Sequence, residues 1–184
     1  MRLFTALAAS NLSKDPKLLL KKIKVNLNQK EIEYRWVPQE NYHVTINFLG
    51  EVDPERLSEL EGILTEVAQA SAPFSLRVEG VGAFPEAHSG RVLWMGIQNS
   101  IALRELQSRC TELLRAQNFS VEDRDYSPHL TIARLRSPKN VSDIISPCRN
   151  TDFGDLAVTE LTLYESKLGG SFPIYTPVKH FSLG

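Results

Sequence analysis

The sequence lacks the residues that would anchor a fold or a site by covalent or metal chemistry. Only two cysteines, Cys110 and Cys148, occur in 184 residues. They have no CxxC spacing, so no disulfide framework is needed and free thiols in a reducing compartment are expected. Long apolar runs are also missing: the N-terminal "MRLFTALAASNLSKDPK" is too brief to span a bilayer and lacks the shape of a cleaved signal, which predicts a cytoplasmic protein with no membrane contact. There is no excess charge, with 21 Lys and Arg against 22 Asp and Glu and a net charge of −1. A surface that grips long nucleic acid through many phosphates is therefore not advertised, although a local basic site is still allowed. No charge block, low-complexity tract or Pro/Gly/Ser linker divides the chain, so residues 1–184 are expected to form one domain. No Gly-rich phosphate loop and no GxSxG nucleophile elbow appear, which argues against nucleoside triphosphate, dinucleotide and Ser-His-Asp chemistry.

What is present is an alternation of short strands and amphipathic helices. Residues 2–8 read as a buried strand, followed after "SKDP" by a helix carrying Leu18, Leu19, Leu20 and Ile23. Residues 34–37 and 43–49 are strand candidates, and Asp53-Pro54-Glu55 opens a helix with Leu57, Leu60, Leu64 and Val67. Residues 74–84 and 91–97 form a hairpin or neighbouring strands, and a helix runs from about Ser100 to Asn118. After a strand at 129–135, Ser137-Pro138 is expected to start a short helix holding Val141, Ile144 and Ile145, and strands near 156–165 and 174–182 end the chain.

Two of the four histidines stand in one repeated phrase: His43-Val44-Thr45-Ile46 and, 86 residues later, His129-Leu130-Thr131-Ile132. The match extends outward, since Leu49 and Leu135 each lie six residues past their histidine. Each half then reads strand, helix, motif strand, helix and two strands, the second series starting near residue 91. This predicts an α+β fold of two similar lobes, each an antiparallel sheet backed by helices and related by a pseudo-twofold axis. Alternation sets each histidine beside its threonine on one strand face, with Val44, Ile46 and Phe48, or Leu130 and Ile132, on the other. Symmetry would then bring both pairs to a central cleft.

Two imidazoles and two hydroxyls facing one another suit a phosphodiester. One imidazole can be a neutral base and the other a protonated acid on opposite sides of an in-line displacement, while the hydroxyls bind non-bridging oxygens. One His-x-Thr alone reads as a structural or surface residue; the duplication is what favours a shared site. A zinc site is the competing reading, but neither motif has a second ligand at metal spacing on its face, so no metal and no cofactor is expected.

The quoted segments "RWVPQENYHVTINFLGEV" and "YSPHLTIARL" resemble the paired HxTx motifs of the two-histidine phosphoesterases, in particular the RNA 2′,3′-cyclic phosphodiesterase branch. "MRLFTALA", "GVGAFP", "RVLWMGI" and "LTLYESKL" extend the similarity over nearly the whole chain. The resemblance implies a bilobal fold and hydrolysis of 2′,3′-cyclic phosphate ends of RNA to 2′-phosphomonoesters. Some members also join RNA halves, tRNA halves among them, through a reversible 2′,5′ linkage. By position it implies His43 as proton donor, His129 as proton acceptor, and Thr45, Thr131 and Arg134 as phosphate-binding residues in a monomeric enzyme. The motifs themselves do not say which histidine is the acid, and in the reverse direction the roles exchange.

Alternation disagrees with the resemblance at Arg134, which falls opposite His129 unless the strand bulges, and so also reads as an exposed edge residue. Asn47 falls on the His43 face and reads as a polar cleft residue. Tyr126 stands where the branch often has Phe and reads as a base-stacking candidate. Phe84 borders a loop and could approach a base, though packing is the simpler role. His88 and His180 read as solvated side chains, and Trp36 and Trp94 as core. Two other functions stay open on the residues: a related enzyme for small cyclic phosphates or 2′,5′-oligonucleotides, and a non-catalytic module that binds RNA ends.

Overall fold

The computed structural model describes residues 1–169 and 172–184. Nine strands occur among them: β1 (Arg2–Ala8), β2 (Tyr34–Trp36), β3 (His43–Glu51), β4 (Phe74–Phe84), β5 (Gly90–Ile97), β6 (His129–Lys139), β7 (Asp152–Val158), β8 (Glu160–Gly169) and β9 (Phe172–Ser182). Four α-helices accompany them: α1 (Lys17–Gln29), α2 (Leu57–Gln69), α3 (Ile101–Ala116) and α4 (Ser142–Ile145).

The helix starts follow the chemistry of the sequence. Asp53 accepts a hydrogen bond from the Glu55 amide at 3.0 Å and opens the turn Pro54–Arg56 that runs into α2. Ser100 accepts from the Leu103 amide at 3.2 Å and caps α3, satisfying an N–H that the helix leaves free. In α2 the buried Leu60, Ile63, Leu64 and Val67 form one stripe, each burial worth about 1.5–3 kcal/mol.

All strands pair antiparallel in the order β7-β4-β5-β6-β3-β1-β8-β9, with β2 beside β6. Where two separate sheets are expected, the strands form one continuous path with a narrow seam. The motif strands β3 and β6 meet through a single pair, Val44 with Leu130, so a five-stranded half that includes β2 and a four-stranded half join at the residues next to the histidines. Nor are the halves consecutive in sequence. β8 and β9 return to β1, while β4 stays with β5 and β7. The helices also cross: α3 follows β5 but packs on β3 and α2, and α1 packs against α4. Val44, Ile46, Leu130 and Ile132 point to the helix-covered face and are at most 3 % exposed.

Two boundaries differ from the expectation. The stretch near 156–165 is two strands, because the chain leaves β7 in one half at Thr159 and enters β8 in the other. Ser137 and Pro138 do not start a helix but lie in the tail of β6, where Lys139 still pairs with Gly90. A proline at such a margin costs no ladder bond. The helix begins only after Asn140, whose side chain accepts from the Ser142 amide at 3.0 Å. Cys110 and Cys148 are both buried free thiols.

Candidate active site

β3 and β6 carry the same burial sequence from each histidine onward: half-buried, buried, half-buried, buried, buried, exposed, buried. The two consecutive buried positions mark a bulge. Along β3 the partners step from Thr45 with Ala6 to Asn47 with Thr5, leaving Ile46 extra; along β6 they step from Thr131 with Trp94 to Ala133 with Leu93, leaving Ile132 extra. One extra residue reverses every later side chain.

This reversal bears on three side chains. Arg134 turns to the same face as His129 and Thr131 and lines the cleft, which resolves the conflict between alternation and resemblance in favour of the cleft. Asn47 borders the cleft, as expected, but is buried there, its Nδ2 donating to Thr111 Oγ1 of α3 at 2.8 Å. Phe48, placed on the apolar face by strict alternation, instead faces the cleft and is 40 % exposed.

The cleft, about 380 Å³, is lined by His43, Thr45, His129, Thr131 and Arg134 together. The two histidines are held in the same way. His43 Nδ1 lies 2.7 Å from the Asn41 carbonyl and His129 Nδ1 lies 2.7 Å from the Ser127 carbonyl. A carbonyl only accepts, so each Nδ1 carries the proton and each Nε2 is the free, titrating nitrogen. Tyr175 stands edge-on to His43 at 5.2 Å and Phe84 edge-on to His129 at 4.8 Å, both at 82°. Each imidazole is thus wedged between a carbonyl and an aromatic ring from a strand of its own half.

Burial pulls the His43 imidazole below its usual range; the Asn41 carbonyl opposes this, and the charges of His129 and Arg134 reinforce it. His129 is likewise lowered, first by burial, against the Ser127 carbonyl and with Arg134 and Arg124 adding to it. The site therefore favours neutral imidazoles.

The supporting residues come from several elements. Tyr126 does not present its hydroxyl to the cleft: it donates to the Thr45 carbonyl at 3.0 Å and ties the loop before β6 to the first motif strand. Burial raises its phenol. Phe84 packs on Trp94 at 5.2 Å, and the Trp94 indole lies so close over Gly82 that a Cβ there would stand 2.2 Å from the ring. Trp94 is half-buried and lines a second cavity, with Gly82 and Arg149, rather than the core, whereas Trp36 packs against the core. Behind His43, Phe4 touches Phe48 at 5.8 Å and Tyr175 at 5.1 Å. His88 contacts Ser142 and His180 contacts Glu160 and Thr162, both outside the cleft. Among the described residues no three His, Cys, Asp or Glu side chains converge, and no helix is long and apolar enough to cross a membrane.

Two His-Thr pairs thus line one cleft across the seam between the motif strands. The model of the 2′-5′ RNA ligase superfamily matches residues 15–170, and the chain belongs to that family. It is 35 % identical over 183 residues to the RNA 2′,3′-cyclic phosphodiesterase of Archaeoglobus fulgidus, covering 98 % of this chain and 99 % of the relative. The enzyme of the same name from Methanothermobacter thermautotrophicus is 31 % identical over 165 residues, covering 88 % and 89 %. Among solved structures, TT0787 of Thermus thermophilus superposes with a TM-score of 0.74 at 27 % identity, covering 100 % and 98 %. E. coli LigT complexed with 3′-AMP gives 0.70 at 26 %, covering 99 % and 97 %.

Proposed function

We propose that this single-domain protein is a cytoplasmic, monomeric RNA 2′,3′-cyclic phosphodiesterase that acts without a metal. The observation that carries the reading is the matched pair of Nδ1–carbonyl bonds, which leaves two Nε2 atoms to serve one cleft. The names of the relatives supply the substrate class.

In this reading the cyclic phosphate enters between the pairs. Its charge raises the depressed imidazoles, so one histidine binds a proton while the other stays neutral. His129 Nε2 takes a proton from water as its oxygen attacks phosphorus. The bond from phosphorus to O3′ breaks, and His43 Nε2 gives its proton to O3′, leaving a 2′-phosphomonoester. Thr45, Thr131 and Arg134 hold the non-bridging oxygens, whose charge is redistributed in the transition state. With a 5′-hydroxyl in place of water the same steps make a 2′,5′ linkage, as the joining of tRNA halves would require, and its cleavage exchanges the two roles.

The test is incubation of an oligonucleotide ending in a 2′,3′-cyclic phosphate with the protein in EDTA, with separation of 2′- from 3′-phosphate products. Turnover to the 2′-phosphate is expected, with at least about 10²-fold loss in His43→Ala and in His129→Ala. Full activity in either variant, or loss of activity on chelation, would sink the mechanism.

A further inference from the structure

The ladder that presents Arg134 continues to a second guanidinium. β2 pairs with β6 so that Arg35 lies opposite Arg134, with Tyr34 opposite Leu135 and Trp36 opposite Ala133. Cross-strand partners share a face, with Cα atoms about 5 Å apart. Arg35 therefore stands beside Arg134 on the histidine face, and Val37, two residues further along, lines the cleft itself. Tyr34 and Trp36 turn to the opposite face and pack against the core. Both Arg35 and Arg134 are exposed.

The next step of the same ladder shows what is missing at this pair. Glu33 and Arg136 are joined by an ion pair and by the Arg136 amide donating to the Glu33 carbonyl at 3.0 Å. That step is neutralised within the protein. One step closer to the cleft, two arginines face each other, and among the described residues neither has a carboxylate partner. Like charges directly opposite in a sheet are destabilising, so the pair is arranged for anions that arrive from outside. One phosphate occupies Arg134 in the proposed reaction. Among the described residues β2 pairs only with β6, and Arg35 stands beside the cleft rather than in its lining, between solvent and the Val37 and Arg134 that border the cleft.

We propose that Arg35 forms a second phosphate subsite, which takes the internucleotide phosphodiester 5′ to the terminal nucleotide while Arg134 holds the cyclic phosphate. The inference rests on the phosphodiesterase reading and deepens it: the enzyme selects the end of a chain over a free cyclic nucleotide. Because one backbone charge is read, without any base edge, the gain is independent of sequence.

Three substrates test it: a nucleoside 2′,3′-cyclic phosphate, a dinucleotide ending in the same cyclic phosphate, and that dinucleotide with a neutral methylphosphonate linkage. In the wild type the phosphodiester dinucleotide is expected to exceed its methylphosphonate counterpart by about tenfold in kcat/KM, mainly through KM. In Arg35→Ala the two should converge, and Arg35→Lys should restore part of the difference. The salt dependence of KM for the phosphodiester should fall by about 0.7 in log–log slope. Equal losses of Arg35→Ala on all three substrates, or an unchanged preference for the phosphodiester, would overturn the subsite while leaving the phosphodiesterase reading intact. Absence of turnover on all three would overturn both.

Discussion

Phe48 and Arg134 occupy the same place in the two halves of the molecule. Each stands five positions after its histidine (48 − 43 and 134 − 129), each follows a one-residue bulge, and each is the exposed residue that the bulge turns into the cleft. The backbone is duplicated and the chemistry is not. One half offers a charged fork for phosphate, and the other an apolar ring backed by Phe4. In the proposed reaction this asymmetry would give the two histidines a direction, with the phosphate drawn toward Arg134 and the flat, apolar part of a nucleotide toward Phe48.

Phe48→Ala should therefore separate binding from chemistry. A stacked base contributes about 1–3 kcal/mol, so KM for a nucleoside 2′,3′-cyclic phosphate should rise at least about fivefold with little change in kcat. Phe48→Tyr should preserve KM. An abasic ribose 2′,3′-cyclic phosphate should be handled alike by wild type and Phe48→Ala. If the variant loses as much on the abasic substrate, Phe48 is packing and not a platform.

In the proposed reaction Arg134 would have two separable effects. As a phosphate ligand its loss would raise KM, and as a positive charge near both imidazoles its loss would let them hold protons more readily. In Arg134→Gln both limbs of the profile of kcat/KM against pH should move to higher pH, in addition to the drop in its maximum. That profile belongs to the free enzyme. The wild-type optimum should lie on the acid side, since both histidines are depressed before the anion arrives. A profile that drops without moving would place Arg134 too far from the histidines to be felt.

The histidine-threonine pairs were legible because alternation is a local rule, and two residues apart on a strand is too short a distance for it to fail. Beyond the bulges the rule fails for Phe48 and leaves Arg134 ambiguous, since a register shift is fixed by the partner strand. A signal was nonetheless present. Leu49 and Leu135 lie an even number of residues from histidines that face the cleft, yet they are 2 % and 5 % exposed. Side chains of equal parity on opposite faces require an extra residue between them. Tyr175 could not be found this way, because it reaches His43 through the return of β8 and β9 to β1, a pairing between distant parts of the chain. The same return hid the division at Thr159, where one apolar stretch serves both halves.

The depressed imidazoles also make a statement about stability. Their folded pKa values lie below the ordinary 6.5, mainly because burial disfavours the charged form. Between the folded values and 6.5 the unfolded chain binds protons that the folded chain does not, so stability must rise with pH through that window and level off above it. Each histidine contributes a slope of at most about 1.4 kcal/mol per pH unit. Asp143 and Asp152, lowered from 3.8 by Lys30 and Lys14, lose their contributions only at lower pH and so do not act in this window. Urea midpoints measured from pH 5 to 8 should climb toward neutrality in the wild type. In the double variant His43→Gln, His129→Gln, which keeps polar side chains at both places without a group that titrates there, the climb should be largely abolished. Equal slopes in the two proteins would mean that the site already holds its protons when empty, and the anion would then have no part in setting the acid and base of the reaction.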